Sequence, residues 1–187
     1  MPVQIREEET ASQSLRRPAV PLALGPTFVV SSFHDREACM LNGTPNDRAE
    51  IDNLVGRFFA AFSSKGDMVP NVESLAGLFI PAGIIVKAIG QEPEVYTVRS
   101  FIEPRARLLS NGTLTDFREE ETAARTDILG NIAQRVSLYR KSGLTSGERL
   151  EGAGVKVIQF VRTGVGWRIS SVAWDDERDG LTIPQGL

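Results

Sequence analysis

Histidine and cysteine are almost missing from this chain of 187 residues, which has one of each, His34 and Cys39. A lone cysteine closes no internal disulfide, so packing alone must hold the fold together. One His and one Cys are too few for a zinc cluster or a His-rich metal site. Long hydrophobic runs are missing too: no stretch approaches the roughly 18 apolar residues that a membrane helix needs. A basic excess is also absent, since 21 Lys and Arg stand against 24 Asp and Glu, a net charge of −3. That balance leaves nothing to neutralise a phosphate backbone, so nucleic acid is a poor partner. What is present is ordinary. A hydrophobic fraction of 41 % suffices to bury a core, and the length suits one globular domain.

The chain is uneven along its length. In residues 1–45, Pro2, Pro18, Pro21, Pro26 and Pro45 break up the chain. Arg16-Arg17 ahead of the mildly apolar Pro18–Val30 has the outline of a secretory signal. The acidic Glu7-Glu8-Glu9, the internal prolines and the lack of a small-x-small cleavage site argue against one. This stretch is expected to be an irregular leader, with Met40 as an alternative start, ahead of a single domain over 46–187 in a cytoplasmic protein. His34 and Cys39 both precede Met40, so such a domain must draw any chemistry from carboxylates, Arg, Lys, Tyr, Ser or Asn.

Local signals strengthen from Asn46-Asp47, either of which can cap a helix. Ile51, Leu54, Val55, Phe58, Phe59 and Phe62 recur on one helical face, and Lys65-Gly66 suits the helix end. Val72–Phe79 reads as a short second helix, Ile84–Ile89 as a strand and Val95–Thr97 as another. Val98–Leu109 is expected to be a helix with Val98, Phe101, Ile102, Leu108 and Leu109 on its apolar face. Pro104 should kink it or mark its real start. The last third reads as four strands, 113–128, 132–140, 154–162 and 167–175, broken by Gly-rich turns. Successive strands across short turns predict an antiparallel meander, hence an α+β domain with its helices on one face of the sheet.

Four motifs sharpen that expectation. They are Arg57-Phe58-Phe59-Ala60-Ala61-Phe62 with Lys65-Gly66-Asp67, Leu75 to Gly83, Leu129-Gly130-Asn131-Ile132-Ala133, and Gly166-Trp167-Arg168-Ile169 leading to Trp174–Arg178. Together, along 47–187, they resemble the NTF2-like superfamily, also called SnoaL-like or cystatin-like, and within it a bacterial subgroup of undetermined role. The resemblance implies a cone: helices packed on a strongly curved, mostly antiparallel sheet, with a pocket between them. It also implies a homodimer formed through the outer sheet face.

Fold does not give function. The family's isomerase type uses a Tyr on the first helix, an Asp on the first strand and an Asp on a late strand. The matching positions here hold Phe58, Lys87 and Ile158 or Gln159. A dehydratase type relies on histidines, which the domain lacks. An epoxide hydrolase type needs an Asp-Arg-Asp relay; Arg99, Arg125, Asp116 and Asp127 supply the residue types without a specifying spacing.

Two functional classes stay open. In one, the pocket binds a small apolar or aromatic molecule, or the domain is an accessory or dimerisation subunit. In the other, it is a cofactor-free lyase, isomerase or cyclase. In Arg118-Glu119-Glu120-Glu121, Glu119 and Glu121 share one strand face. Glu121, nearer the strand middle, is the expected acid, against a plainer reading as an ion-pair partner of Arg135 or Arg125. Tyr139 is the expected hydroxyl donor. Phe58, Phe62, Lys87, Tyr96, Phe101, Ser137, Gln159 and Trp174 are the expected pocket residues. Gln159 interrupts the apolar row of Val155, Val157 and Val161. No Gly-rich phosphate loop precedes a helix, so no cofactor is expected. Adjacent carboxylates in Asp175–Asp179 diverge on a strand, so no metal is expected there either. The expected partners are a small apolar molecule and a second copy of the chain, with no nucleic acid and no membrane.

Overall fold

The computed structural model describes residues 43–187 apart from 65, 67, 68 and 185. The expectations for the leader, for His34 and Cys39, and for Lys65 lie outside the described residues. Helix α1 spans Pro45–Ala60. Its N-cap is Thr44 rather than Asn46 or Asp47. The Thr44 hydroxyl accepts from the Asp47 amide at 3.2 Å, and the Asp47 carboxylate accepts from the Thr44 amide at 3.0 Å. This reciprocal capping box satisfies two helix-end donors, with Pro45 in the first turn where its missing N–H costs nothing. The helix ends on Ala61, ahead of the expected Gly66.

Ile51, Leu54, Val55, Phe58 and Phe59 are buried, as their spacing predicts. Each such side chain contributes roughly 1.5–3 kcal/mol by leaving water. The short second helix expected over Val72–Phe79 is a 3-10 helix over Val72–Leu78, capped by Asn71. Helix α2, Val98–Ser110, is continuous through Pro104 and capped by Thr97.

The strands are β1 (Phe79–Lys87), β2 (Glu94–Thr97), β3 (Leu114–Leu129), β4 (Ile132–Thr145), β5 (Glu148–Thr163) and β6 (Gly166–Asp176). They form one six-stranded sheet in the order β2-β1-β6-β5-β4-β3. Every pair is antiparallel except β1 with β6, which is parallel. The β4–β5 hairpin runs further than its polar sequence suggests: both strands continue to a tight turn at Ser146-Gly147. Register shifts in β1, β3 and between β5 and β6 bend the strands.

Both helices lie on one face of the sheet, α1 against β3 and β6, α2 against β1, β2 and β3. The core between them includes Phe58, Ile85, Ile158, Phe160, Trp167, Ile169 and Val172, all buried. The start of α1 is tied to the start of β6. The Trp167 indole donates to Asp47 Oδ1 at 3.2 Å and the Trp167 amide to Glu50 Oε1 at 2.8 Å. Gly166 makes this approach possible, since it has φ +99° and a Cβ there would strike the Glu50 carboxylate. Among the described residues, no helix is long and apolar enough to cross a membrane.

Candidate functional site

The inner faces of the strands and the inner sides of both helices enclose a cavity of about 390 Å³. Its apolar wall comes from every layer: Phe58 on α1 and Phe62 just past its end, Ile85 on β1, Tyr96 on β2, Phe101 and Leu109 on α2, Phe117 on β3, and Val172 and Trp174 on β6. The aromatic rings pack edge to face. Phe62 and Phe101 lie 6.1 Å apart, Tyr96 and Phe101 5.9 Å, and Phe101 and Trp174 5.8 Å between centroids. Such contacts stabilise the wall beyond area burial alone.

Four charged groups interrupt that wall: Arg105, Glu119, Lys141 and Lys156. Lys156 is buried, with only 4 % of its surface exposed. Its ammonium reaches Glu119 Oε1 at 2.9 Å and lies 3.4 Å from the Tyr139 ring centroid. Burial pulls the Lys156 pKa down, and Glu119 works against that shift. Lys141 pairs with Asp176 Oδ2 at 2.5 Å, and the Tyr139 hydroxyl donates to Asp176 Oδ1. Burial raises the Tyr139 pKa well beyond the tyrosine range, and the bond to Asp176 adds to the rise. The phenol therefore stays protonated.

The backbone explains this arrangement. Tyr139 on β4 faces Gly154 on β5, which faces Asp176 on β6. Gly152 faces Lys141. With no side chains at 152 and 154, the Tyr139 and Lys141 side chains lie across β5 and meet Asp176. A Cβ on Gly154 would stand 2.5 Å from the Tyr139 hydroxyl.

The expected site residues separate into four groups. Phe58, Phe62, Tyr96, Phe101 and Trp174 line the cavity. Lys87 does not line the cavity: it is held 2.6 Å from Glu94, which also accepts from the Tyr96 hydroxyl. Glu94 raises the Lys87 pKa, and Lys87, with Tyr96, lowers that of Glu94. Glu121 lies in a neighbouring, more open hollow of about 640 Å³ between α1 and β3. There Arg135 Nε and Nη2 hold its two oxygens at 2.9 and 2.5 Å, and buried Ser137 donates to it. Burial opposes a charge on Arg135, but Glu121 and Asp52 outweigh it and raise its pKa. Glu121 and Tyr139 thus face one another in register but are engaged with different partners.

Gln159 is exposed on the outer face with Val157, where it accepts from Ser171 Oγ at 2.8 Å. The inner row of β5 is Lys156, Ile158 and Phe160, all buried. The sequence places Glu119 on the face of Glu121, which is preferred to it, and singles out none of Arg105, Lys141 and Lys156. Signals for them existed: a Lys alternating with buried apolar residues on β5, and an Arg inside the apolar stripe of α2. Among the described residues no group of His, Cys, Asp or Glu is arranged to hold a metal ion.

No protein-family model matches the chain, and no curated protein matches it. Solved structures do. An NTF2-like superfamily protein from Salmonella enterica serovar Typhimurium is 16 % identical, covers 73 % of this chain and 94 % of its own, and superposes with a TM-score of 0.59. The Kfla4162 protein from Kribbella flavida is 18 % identical over 71 % of this chain and 92 % of its own, with a TM-score of 0.56. An NTF2-like protein with a cystatin-like fold from Novosphingobium aromaticivorans is 19 % identical over 69 % and 80 %, with a TM-score of 0.54. Helices on one face of a mostly antiparallel six-stranded sheet, an aromatic cavity between them and these superpositions all agree: the chain has the NTF2-like, cystatin-like fold.

Proposed function

We propose that the cavity binds a small aromatic or apolar molecule. The observation that carries this reading is the edge-to-face wall of Phe62, Tyr96, Phe101 and Trp174 around a space of about 390 Å³. Ligand sites combine just such an apolar wall with a few polar groups. Thermal unfolding in the presence of single-ring aromatics tests it. A ligand at about one hundred times its Kd adds about 2.7 kcal/mol, which raises Tm by several degrees in a domain of this size. Leu109→Trp, which fills the cavity, should abolish the rise. No rise with any aromatic at millimolar concentration overturns the reading.

A second reading, cofactor-free proton transfer, is favoured by the Glu119–Lys156 pair on the cavity wall. A carboxylate and a buried ammonium 2.9 Å apart can take a proton from carbon and steady the charge that develops. Glu121, fixed by Arg135 and Ser137, is less free to do so. Deuterium uptake next to the carbonyl of a bound ketone, followed by NMR, is expected to be lost in Glu119→Gln. Unchanged uptake in that variant sinks the acid–base role.

The outer face supports self-association. Val95, Val86, Ala173, Val157 and Val136 are successive register partners across β2, β1, β6, β5 and β4. Val95 is 65 % exposed and Val157 38 %. A row of small apolar side chains spanning most of a sheet suits a second copy of the same face, which a two-fold axis makes self-complementary.

A further inference from the structure

Arg105 is out of place by the rules of its own helix. It occupies the stripe of α2 that carries Val98, Phe101, Ile102 and Leu109, the positions turned toward the sheet, and it is half-buried. Packing alone calls for an aliphatic residue there. Its guanidinium carbon lies 3.5 Å from the Phe101 ring centroid, 5.4 Å from that of Tyr96 and 5.9 Å from that of Trp174. The cation therefore stands among the rings that wall the cavity. Burial pulls its pKa down, and a guanidinium still keeps its charge under such a pull.

The charges around the cavity do not balance at this one point. Lys156 is paired with Glu119, Lys141 with Asp176, and Lys87 on β1 with Glu94. Arg105 has no carboxylate within ion-pair distance among the described residues. Its polar neighbours are neutral: the Phe101 carbonyl, which accepts from Nη1 at 3.1 Å, and the Tyr96 hydroxyl. The acids that act on it from a distance, Glu94 and Glu119, already hold lysines. A half-buried charge set in an apolar wall is ordinarily matched by a counter-charge. The fork of a guanidinium offers five donors, and the contacts to the Phe101 carbonyl and the Tyr96 hydroxyl leave several of them unused.

We infer that Arg105 anchors the carboxylate of the bound molecule, so that the ligand is an aromatic or arylalkyl monocarboxylic acid. This rests on the reading that the cavity takes a small aromatic molecule. One unmatched positive charge fits a monoanion, which argues for a carboxylate over a phosphate dianion. A planar guanidinium pairs with a planar carboxylate through two parallel hydrogen bonds. Arg105 and Lys156 each lie 5.9 Å from the Trp174 ring centroid. A ring resting on Trp174 with its carboxylate on Arg105 therefore stays close to the Glu119–Lys156 pair.

Isothermal titration calorimetry with benzoate and 3-phenylpropanoate, each beside its neutral amide, and with indole, tests the inference on the full chain. At least one acid is expected to bind about tenfold or more tightly than its amide. That preference should shrink as salt rises. It should vanish in Arg105→Gln while the amide's affinity moves less than threefold, and survive in part in Arg105→Lys. If an acid and its amide bind equally, or the preference persists in Arg105→Gln, the anchor is refuted while the binding cavity stands. If acids, amides and indole all fail to bind, the cavity reading itself falls. Should Arg105→Gln not fold, the salt dependence in the parent chain and the several-fold weaker preference of Arg105→Lys decide.

Discussion

Asp47 fastens two distant parts of the fold with one carboxylate. One oxygen closes the capping box of α1. The other accepts from the Trp167 indole and pairs with Arg162. The Thr44 amide first, then Arg162 and Trp167, hold its pKa far below the ordinary value of 3.8. A carboxylate with a lowered folded pKa contributes stability above its unfolded pKa and loses it as the pH falls toward the folded one. Asp47→Asn should therefore lower Tm most at neutral pH. The gap to the parent chain should close from about pH 4 downward; a gap independent of pH over 2–7 contradicts this role.

Lys156 behaves differently, because its pair is buried. Lys156→Met leaves Glu119 unmatched and should cost about 3–5 kcal/mol in denaturant unfolding. Adding Glu119→Leu should return most of that loss, since two apolar groups of similar size need no partner.

Among the elements, β5 decides the shape of the site. Gly152 and Gly154 let side chains of β4 cross it to Asp176. Gly154→Ala should cost about 1–3 kcal/mol, because a Cβ there meets both the Tyr139 hydroxyl and the Asp175 carbonyl. Gly164→Ala in the adjoining turn, with open space around it, should stay within about 0.5 kcal/mol.

The helices and strands were largely legible in the sequence, because their apolar periods and turn residues act locally. Strand faces were less so. Gln159 lies in an apolar row, Val155, Val157 and Val161, that alternation alone makes look internal; the buried row instead carries Lys156. Glu119 and Glu121 could be placed on one face. Which of them meets Lys156 and which meets Arg135 depends on cross-strand register and on a bulge between Glu121 and Ala123, and no single segment encodes either.

At the scale of the whole molecule, one face of the sheet is committed to helices and cavity, and the other is left with its valine row. If that row joins two copies, sedimentation equilibrium should find a dimer. Val157→Arg within it should shift the species to monomer without lowering aromatic binding, because the cavity opens on the opposite face. A parent chain that sediments as a monomer at tens of micromolar overturns the pairing.

The parallel pairing of β1 with β6 bears on how the chain reaches this state. β3 to β6 join through short turns, whereas β1 must wait for a partner that lies far along the chain. Closing so long a loop carries an entropic cost that early contacts do not repay. The meander should therefore form in the folding transition state, with β1 and β2 docking after the barrier. Ile85→Val on β1 should then speed unfolding and leave the folding rate nearly unchanged. Ile158→Val on β5, equally buried, should slow folding. A chevron in which Ile85→Val slows folding as much as Ile158→Val would place the closure of the cavity before the barrier.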